Sequence, residues 1–177
     1  MPRRILITGC SGAGKSTLCA ALSERGHSVV PEPGLRIVHA EKTTGGAALP
    51  WLDMEAFLWR ALKMSRDDIE SARAVAGVVF HDRGLLDAAV GLRDHIGVPF
   101  RETLNDGFPY AQPVILAPPW HACFAQTEDR QHSFEDATRE YRSILAALRE
   151  LRCEVIELPF VDVATRVAWV ERIVQEE

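Results

Sequence analysis

The sequence predicts an α/β domain built around a parallel β-sheet. Short apolar runs of strand length alternate with longer amphipathic stretches, which is typical of strand–helix–strand units. The apolar runs lack strict alternation of apolar and polar residues, as expected where helices cover both faces of a sheet. A glycine-rich loop directly after the first run also fits this fold class, because such loops connect a strand to a helix.

Five strands and six helices are predicted along the chain. The strands are expected at residues 5–8, 28–30, 78–81, 114–117 and 154–158. Helical patterns begin near Lys15, Leu35, Asp53, Leu85, Ser133 and Val163. After Ser133 an apolar stripe recurs at helical spacing and should face the core; it consists of Phe134, Ala137, Tyr141, Leu145, Leu148 and Leu151. Residues 43–46 and 126–133 are expected to be loops, since they combine glycine or charge with a nearby proline stop.

Composition limits the kind of protein this is. A chain of 177 residues suits one domain, 1–177, with its own core. A net charge of -5 argues against a nucleic-acid polymer as partner. No apolar stretch reaches the length of a membrane span, and the N-terminus lacks a signal-type segment, so we expect a cytoplasmic protein. The expected oligomeric state is a monomer or homodimer. The four cysteines lack the spacing of a zinc site or a disulfide framework.

The most informative motif follows the first predicted strand and has the form Gly-x-x-x-x-Gly-Lys-Ser. Backbone N–H groups in such a loop surround the phosphates of a nucleoside triphosphate, and the next helix directs its positive end at them. Lys15 is expected to reach the β- and γ-phosphates, and the Ser16 hydroxyl to bind Mg²⁺. The candidate nucleotide-binding residues are Gly9, Cys10, Ser11, Gly12, Ala13, Gly14, Lys15, Ser16 and Thr17.

A carboxylate ends the third predicted strand. Asp82 follows the apolar residues 78–80 and His81, and ligands of parallel sheets bind beyond the carboxyl ends of the strands. Asp82 is therefore a candidate to hold Mg²⁺ directly or through water, with Arg83 beside it. The alternative is a helix-capping aspartate followed by an exposed arginine.

A second carboxylate, Glu32, follows the second predicted strand between Pro31 and Pro33. At that position it is suited to accept a proton from a substrate hydroxyl during phosphate transfer. The flanking prolines would hold the side chain in a fixed direction. The alternative is a carboxylate that only stabilises a turn.

The polar stretch 127–132 is a candidate lid over the triphosphate. Phosphate transfer needs positive charge on the γ-phosphate oxygens, and a mobile arginine supplies it while closure excludes water. Arg130 is the first candidate, with Arg139 and Arg142 behind it. Arg139 can also pair with Glu135 on the same helix.

Together these motifs resemble a known family, the AAA-domain family of small predicted ATPases. The resemblance rests on residues 9–17, 30–32, 49–51, 80–85, 117–120 and 130–135. That family is similar to the nicotinamide riboside kinase domain and, more distantly, to thymidylate and deoxynucleoside kinases. The resemblance implies a three-layer α/β/α P-loop NTPase fold of the nucleoside and nucleotide kinase type, with five parallel strands in order 2-3-1-4-5. It further implies that Glu32 acts as base and that Asp82 and Arg83 hold substrate and metal, although His81 stands where an apolar residue is expected.

The sequence therefore predicts a phosphotransferase that uses ATP, or GTP, and Mg²⁺ to modify a small metabolite such as a nucleoside or nucleotide. Ser16 and Asp82 would hold the metal, Lys15 and Arg130 would stabilise the transferred phosphate, and Glu32 and Arg83 would face the acceptor. Residues of about 35–75 would form the acceptor side, and about 121–135 the lid. Trp51 and Phe57 are candidates to stack on a base, or else core residues. The alternative function is a nucleotide-dependent binding module with slow hydrolysis. A subunit of an ATPase ring is disfavoured by the short chain.

Overall fold

The structure is a computed structural model that describes residues 2–105, 107–124 and 133–175. Strands and helices alternate along the described chain. The strands are β1 (Arg3–Gly9), β2 (Ser28–Val30), β3 (Val78–Asp82), β4 (Val114–Ala117) and β5 (Val155–Glu157). The α-helices are α1 (Lys15–Glu24), α2 (Pro33–Thr44), α3 (Met54–Ser71), α4 (Leu85–Ile96), α5 (Phe100–Thr103), α6 (Phe134–Glu150) and α7 (Val163–Gln175). Short 3₁₀ turns cover Ala72–Ala74 and His121–Cys123.

The five strands form one parallel sheet in the order β2-β3-β1-β4-β5, which confirms the predicted fold and strand order. The central strand β1 pairs with β3 on one side and with β4 on the other. Ile7 lies opposite Asp82 of β3 and Ile115 of β4. This register brings the carboxyl ends of the three strands to one edge, where the loop after β1 begins.

Helices cover both faces of the sheet, so β1 is buried on both sides. Ile5 and Ile7 point into a cluster formed with α1 and α7, whereas Leu6 points into a cluster formed with helices α2 to α6. All three side chains are fully buried. Burial on both faces explains why the run Ile5–Leu6–Ile7 is apolar throughout instead of alternating.

Helix α2 differs from its predicted extent at both ends. It begins at Pro33, a residue suited to the first helical turn because its missing N–H needs no partner there. It continues through Thr43 and Thr44, which were expected in a loop. Their hydroxyls donate to carbonyls four residues earlier, and the helix ends where Gly45 adopts a left-handed conformation.

Two other features separate the structure from the predicted elements. The short helix α5 was not predicted, because four residues are too few to establish a helical period. The apolar stripe of α6 does face the core, but its most buried members include Ile144 and Ala147, which the stripe omitted. Within the described residues, no helix combines the length and apolar character needed to cross a bilayer.

Candidate active site

The loop after β1 is held tightly against β4. The Cys10 N–H donates to the Ala117 carbonyl at 2.8 Å. Gly9 has a φ of 113°, and a Cβ at this position would lie 2.4 Å from the same carbonyl oxygen. Only glycine fits both the backbone conformation and the close approach. The first glycine of the motif therefore fixes where the loop leaves the sheet.

Lys15 lies in the mouth of the loop, with 4% of its surface exposed. Its Nζ donates to the Cys10 carbonyl at 2.6 Å and to the Gly9 carbonyl at 3.3 Å. Burial lowers the pKa of the ammonium, as does Arg83, while the carboxylates of Asp82 and Glu32 act in the opposite direction. A buried ammonium whose charge is this poorly compensated favours an anion, and phosphate oxygens would supply one.

The loop surrounds a cavity of about 130 Å³. Its lining includes the exposed Ser16 and Thr17 at the start of α1, so the Ser16 hydroxyl is accessible from the cavity. Cys123 closes another side, and Phe124 packs against Gly12 of the loop. The cavity therefore combines the loop, the helix N-terminus and the lysine that the motif predicts around a phosphate group.

Asp82 ends β3 and is 2% exposed. Its Oδ1 accepts no hydrogen bond from the residues that the structure describes. The alternative of a helix cap is wrong, since Gly84 occupies the cap position of α4 and its N–H donates to Asp87. A buried carboxylate oxygen in need of a partner fits Mg²⁺ or its bound water, because Mg²⁺ prefers oxygen ligands.

Arg83 is buried, which rules out the exposed arginine considered from the sequence. Its Nη1 lies 2.9 Å from Asp87 Oδ1 and 2.8 Å from Glu140 Oε1, while its Nη2 lies 3.3 Å from Glu140 Oε2. Burial acts to lower the pKa of Arg83, but Glu140, Asp87 and Glu32 outweigh it and hold the pKa well above its usual value. Arg83 thus stays charged inside a group of carboxylates.

The backbone at Arg83 is strained, with a φ of 60° in the left-handed region. Such a conformation costs about 1–2 kcal/mol for a residue other than glycine. The ion pairs and the Arg83 N–H bond to the Ile7 carbonyl at 2.8 Å hold the residue in place. This sharp turn directs the guanidinium back over the carboxyl end of the sheet.

Glu32 precedes α2 at the cap position, where its side chain makes no capping hydrogen bond. Instead its Oε1 lies 3.6 Å from Arg83 Nε, and the side chain is 18% exposed. Glu32 therefore reaches the same edge of the sheet as Asp82 and Arg83. The structure brings together these three predicted residues, although they come from the ends of two different strands, β2 and β3.

Asp87 and Glu140 complete this group and were not predicted. Asp87 Oδ1 accepts from the Thr8 hydroxyl at 2.5 Å, and burial raises the pKa of this carboxyl against the effects of Arg83 and Thr8. Glu140 comes from α6, far away in sequence. Asp87 lies in the first turn of α4, where an acidic residue is common on any helix and marks no site by itself; no local pattern marks Glu140.

A larger cavity of about 620 Å³ opens beside the phosphate cavity. Ser11, Glu32 and Arg83 line both cavities, so the two meet at these residues. Helices α2 and α3 and the loop between them contribute the apolar wall. Trp51 and Phe57, both candidates for stacking, lie on this wall.

Arg166 of α7 binds the backbone of the phosphate loop through a hydrogen bond. This residue was not identified from the sequence. It is 3% exposed, and its Nη1 donates to the Ala13 carbonyl at 2.8 Å. Its Nε donates to the Pro159 carbonyl at 2.9 Å, and the guanidinium lies 4.5 Å from the centre of the Trp120 ring. One side chain thus joins the phosphate loop to the ends of β4 and β5.

The predicted lid falls largely outside the described residues, and so does its first candidate, Arg130. The start of that segment is the 3₁₀ turn His121–Cys123 beside the phosphate cavity. Arg139 forms an ion pair with Asp136 at 2.9 Å rather than with the expected Glu135. Arg142 is exposed on α6.

The sheet order and the loop define a fold class, the three-layer α/β/α P-loop NTPase fold of the kinase type. A family model described as AAA domain matches residues 4–166, and the chain belongs to this family. The resemblance drawn from the motifs is thereby confirmed. A search of curated proteins found no significant match.

Solved structures of kinases share this fold. The chain is similar to deoxyadenosine kinase from M. mycoides with products dCMP and dCDP bound, at 14% identity and a TM-score of 0.63, covering 98% of this chain and 100% of the other. The chain is also similar to NadR in complex with NR, at 18% identity and a TM-score of 0.68. This match covers 99% of this chain and 50% of the NadR chain. Shikimate kinase from Acinetobacter baumannii in complex with shikimate gives 18% identity, a TM-score of 0.60, and coverage of 99% and 94%.

Proposed function

We propose that the protein is a phosphotransferase that moves the γ-phosphate of ATP, or GTP, to a hydroxyl group of a small metabolite, a nucleoside or nucleotide. One observation carries this proposal. The phosphate cavity and the larger cavity meet at Glu32 and Arg83, so a carboxylate stands between a donor site and an acceptor site.

The donor side uses the phosphate loop. Backbone N–H groups of the loop and the ammonium of Lys15 would bind the β- and γ-phosphates. Ser16 and Asp82 are the residues that would hold Mg²⁺, Asp82 directly or through water, and the bound metal supplies positive charge to the phosphate oxygens. Arg130 of the lid would add a further positive charge as the transition state forms.

The acceptor side uses Glu32 as base. The acceptor hydroxyl gives its proton to the Glu32 carboxylate while its oxygen bonds to the γ-phosphorus. The bond from the γ-phosphorus to the bridging oxygen breaks, and ADP leaves with that oxygen. Arg83 Nε lies 3.6 Å from Glu32 Oε1, so the guanidinium would help to hold the carboxylate between the two cavities.

Residues of about 35–75 form the acceptor side of this site, and about 121–135 its lid. The described part of the acceptor segment supports this assignment, because Val38, Trp51, Phe57 and Ser65 line the larger cavity. The similar solved structures hold small molecules in the same fold, namely dCMP, NR and shikimate, which supports a small-molecule acceptor.

Two variants test the proposal. Lys15→Ala should abolish formation of ADP and weaken ATP binding, because the buried ammonium contacts the phosphates. Glu32→Gln should leave the affinity for a non-hydrolysable ATP analogue within about twofold while lowering kcat by about 10²-fold or more, as expected for loss of a general base. Lys63→Ala and Glu70→Gln, exposed on α3, are the matched controls.

Affinity is measured by calorimetry, and turnover by ADP formation with a panel of nucleosides and nucleotides. Undiminished transfer by Glu32→Gln would remove this residue from the mechanism. Slow hydrolysis that no acceptor stimulates, together with nucleotide-dependent association with a protein, would favour the binding-module alternative.

A further inference from the structure

We infer that the phosphate acceptor is a nucleoside-like compound that is neutral or cationic and carries no phosphate or carboxylate group. This inference rests on the proposed phosphotransferase function and narrows its acceptor class. It is drawn from the charge and the shape of the 620 Å³ cavity.

Carboxylates outnumber cations among the described residues that line this cavity. The acidic residues are Glu32, Asp87, Asp94, Asp136 and Glu140. The guanidinium groups are those of Arg83 and Arg139, which leaves an excess of three negative charges when histidine is counted as neutral. If Asp87 is protonated, an excess of two remains. An anionic acceptor would enter this cavity against like charge.

Both guanidinium groups are already occupied by carboxylates of the protein. Arg83 contacts Asp87, Glu140 and Glu32, and Arg139 contacts Asp136 at 2.9 Å. A phosphate or carboxylate on the acceptor would have to displace one of these protein carboxylates from its guanidinium. The displaced carboxylate would then lack a cation and would face the other carboxylates of the cavity, which costs free energy.

The wall opposite these charges is apolar and partly aromatic. It includes Trp51, Met54, Phe57 and Leu58. A Cβ added at Gly34 would lie 3.2 Å from Phe57 Cζ and 3.4 Å from Glu32 Oε1. The edge of an aromatic ring and the proposed base therefore converge on one spot. A planar ring joined to a hydroxyl-bearing sugar fits this arrangement, with the ring against the apolar wall and a hydroxyl at Glu32.

The test compares acceptors that differ by one phosphate group. Calorimetry is run on the full chain with a non-hydrolysable ATP analogue and Mg²⁺. The ligands are the common ribo- and deoxyribonucleosides and their 5′-monophosphates, with 7-methylguanosine and its monophosphate as a pair with a cationic base. ADP formation with ATP is measured for the same compounds. At least one nucleoside should bind about tenfold or more tightly than its monophosphate and should stimulate ADP formation.

A charge reversal at the edge of the cavity gives a second readout. Asp94 lines the cavity, and Asp67 is an exposed carboxylate on α3 outside it. Asp94→Lys should reduce the preference for nucleoside over monophosphate by about threefold or more, whereas Asp67→Lys, with the same change in net charge, should leave the ratio unchanged.

The outcomes separate this inference from the function on which it depends. A monophosphate that binds more tightly than its nucleoside and is phosphorylated overturns the inference and leaves phosphotransfer standing. Tight binding of the ATP analogue without binding or stimulation by any acceptor of either kind overturns both.

Discussion

Arg83 and Glu140 form a two-point ion pair that joins the end of β3 to the middle of α6. Two guanidinium nitrogens face two carboxylate oxygens, at 2.8 and 3.3 Å. The same guanidinium lies 3.6 Å from Glu32. The position of the proposed base therefore depends on α6, which also lines the larger cavity with Asp136, Arg139 and Ile144.

Replacing Glu140 with glutamine should disturb the base without disturbing the donor site. Loss of one carboxylate leaves Arg83 to pair more closely with Glu32 and Asp87, so the guanidinium would hold Glu32 away from the acceptor hydroxyl. We expect kcat to fall about tenfold, with the affinity for an ATP analogue unchanged. Glu150→Gln, an exposed carboxylate on the same helix that pairs with Arg101, should keep full activity. A change in ATP affinity alone would contradict this role.

Replacing Arg166 with methionine should loosen the phosphate loop. The substitution removes the hydrogen bonds to Ala13 and Pro159 and the contact with Trp120, while keeping part of the apolar side-chain volume. We expect about 1–3 kcal/mol of lost stability and about tenfold weaker binding of ATP. Arg172→Met, on the exposed face of the same helix, is the control for the change in charge. Denaturant unfolding and calorimetry measure the two effects.

The parts of this site that the sequence predicts are those encoded in short segments. The phosphate loop contains its own glycines, lysine and serine, and Asp82 follows an apolar strand directly. Parallel strands end at one edge of the sheet, so the positions of Asp82 and Glu32 at strand ends predict that both lie near the loop.

The residues that the sequence does not reveal act across long separations. Glu140 meets Arg83 from 57 positions away, and Arg166 meets Ala13 from 153 positions away. A lone acidic residue on an amphipathic helix and an arginine near the end of the chain have the same local pattern as solvent-exposed residues. Only the packing of α6 and α7 against the sheet distinguishes them.

Replacing Gly34 with alanine should affect the acceptor but not the fold. Gly34 lies in the first turn of α2, where alanine is the better helix former by up to about 1 kcal/mol. The added Cβ would lie 3.2 Å from Phe57 and 3.4 Å from Glu32, in the space assigned to the acceptor. At 3.2 Å the Phe57 ring must shift by a few tenths of an ångström, which offsets part of the gain in helix propensity. We expect a melting temperature within a few degrees of the wild type, an unchanged affinity for ATP and an acceptor KM raised about fivefold or more. An unchanged KM would place the acceptor elsewhere in the cavity.

His81 makes the stability of the fold depend on pH. Burial, helped by Arg4 and Arg36, lowers the pKa of its imidazole to about 4, compared with 6.5 for the free side chain. The unfolded chain therefore binds a proton in a range where the folded chain does not, so stability falls as the pH drops from about 6.5 towards 4. The shift corresponds to at most about 3 kcal/mol.

His81→Phe keeps an aromatic ring against Tyr110, which lies 5.3 Å away, but cannot take up a proton. The variant should therefore lose less stability than the wild type between pH 6.5 and 4, when both are unfolded by urea without nucleotide or Mg²⁺. The same carboxylates are present in both proteins, so the difference between the two curves reports on His81. The exposed His39→Phe should follow the wild-type curve, and parallel curves for His81→Phe and wild type would show that His81 does not govern acid stability.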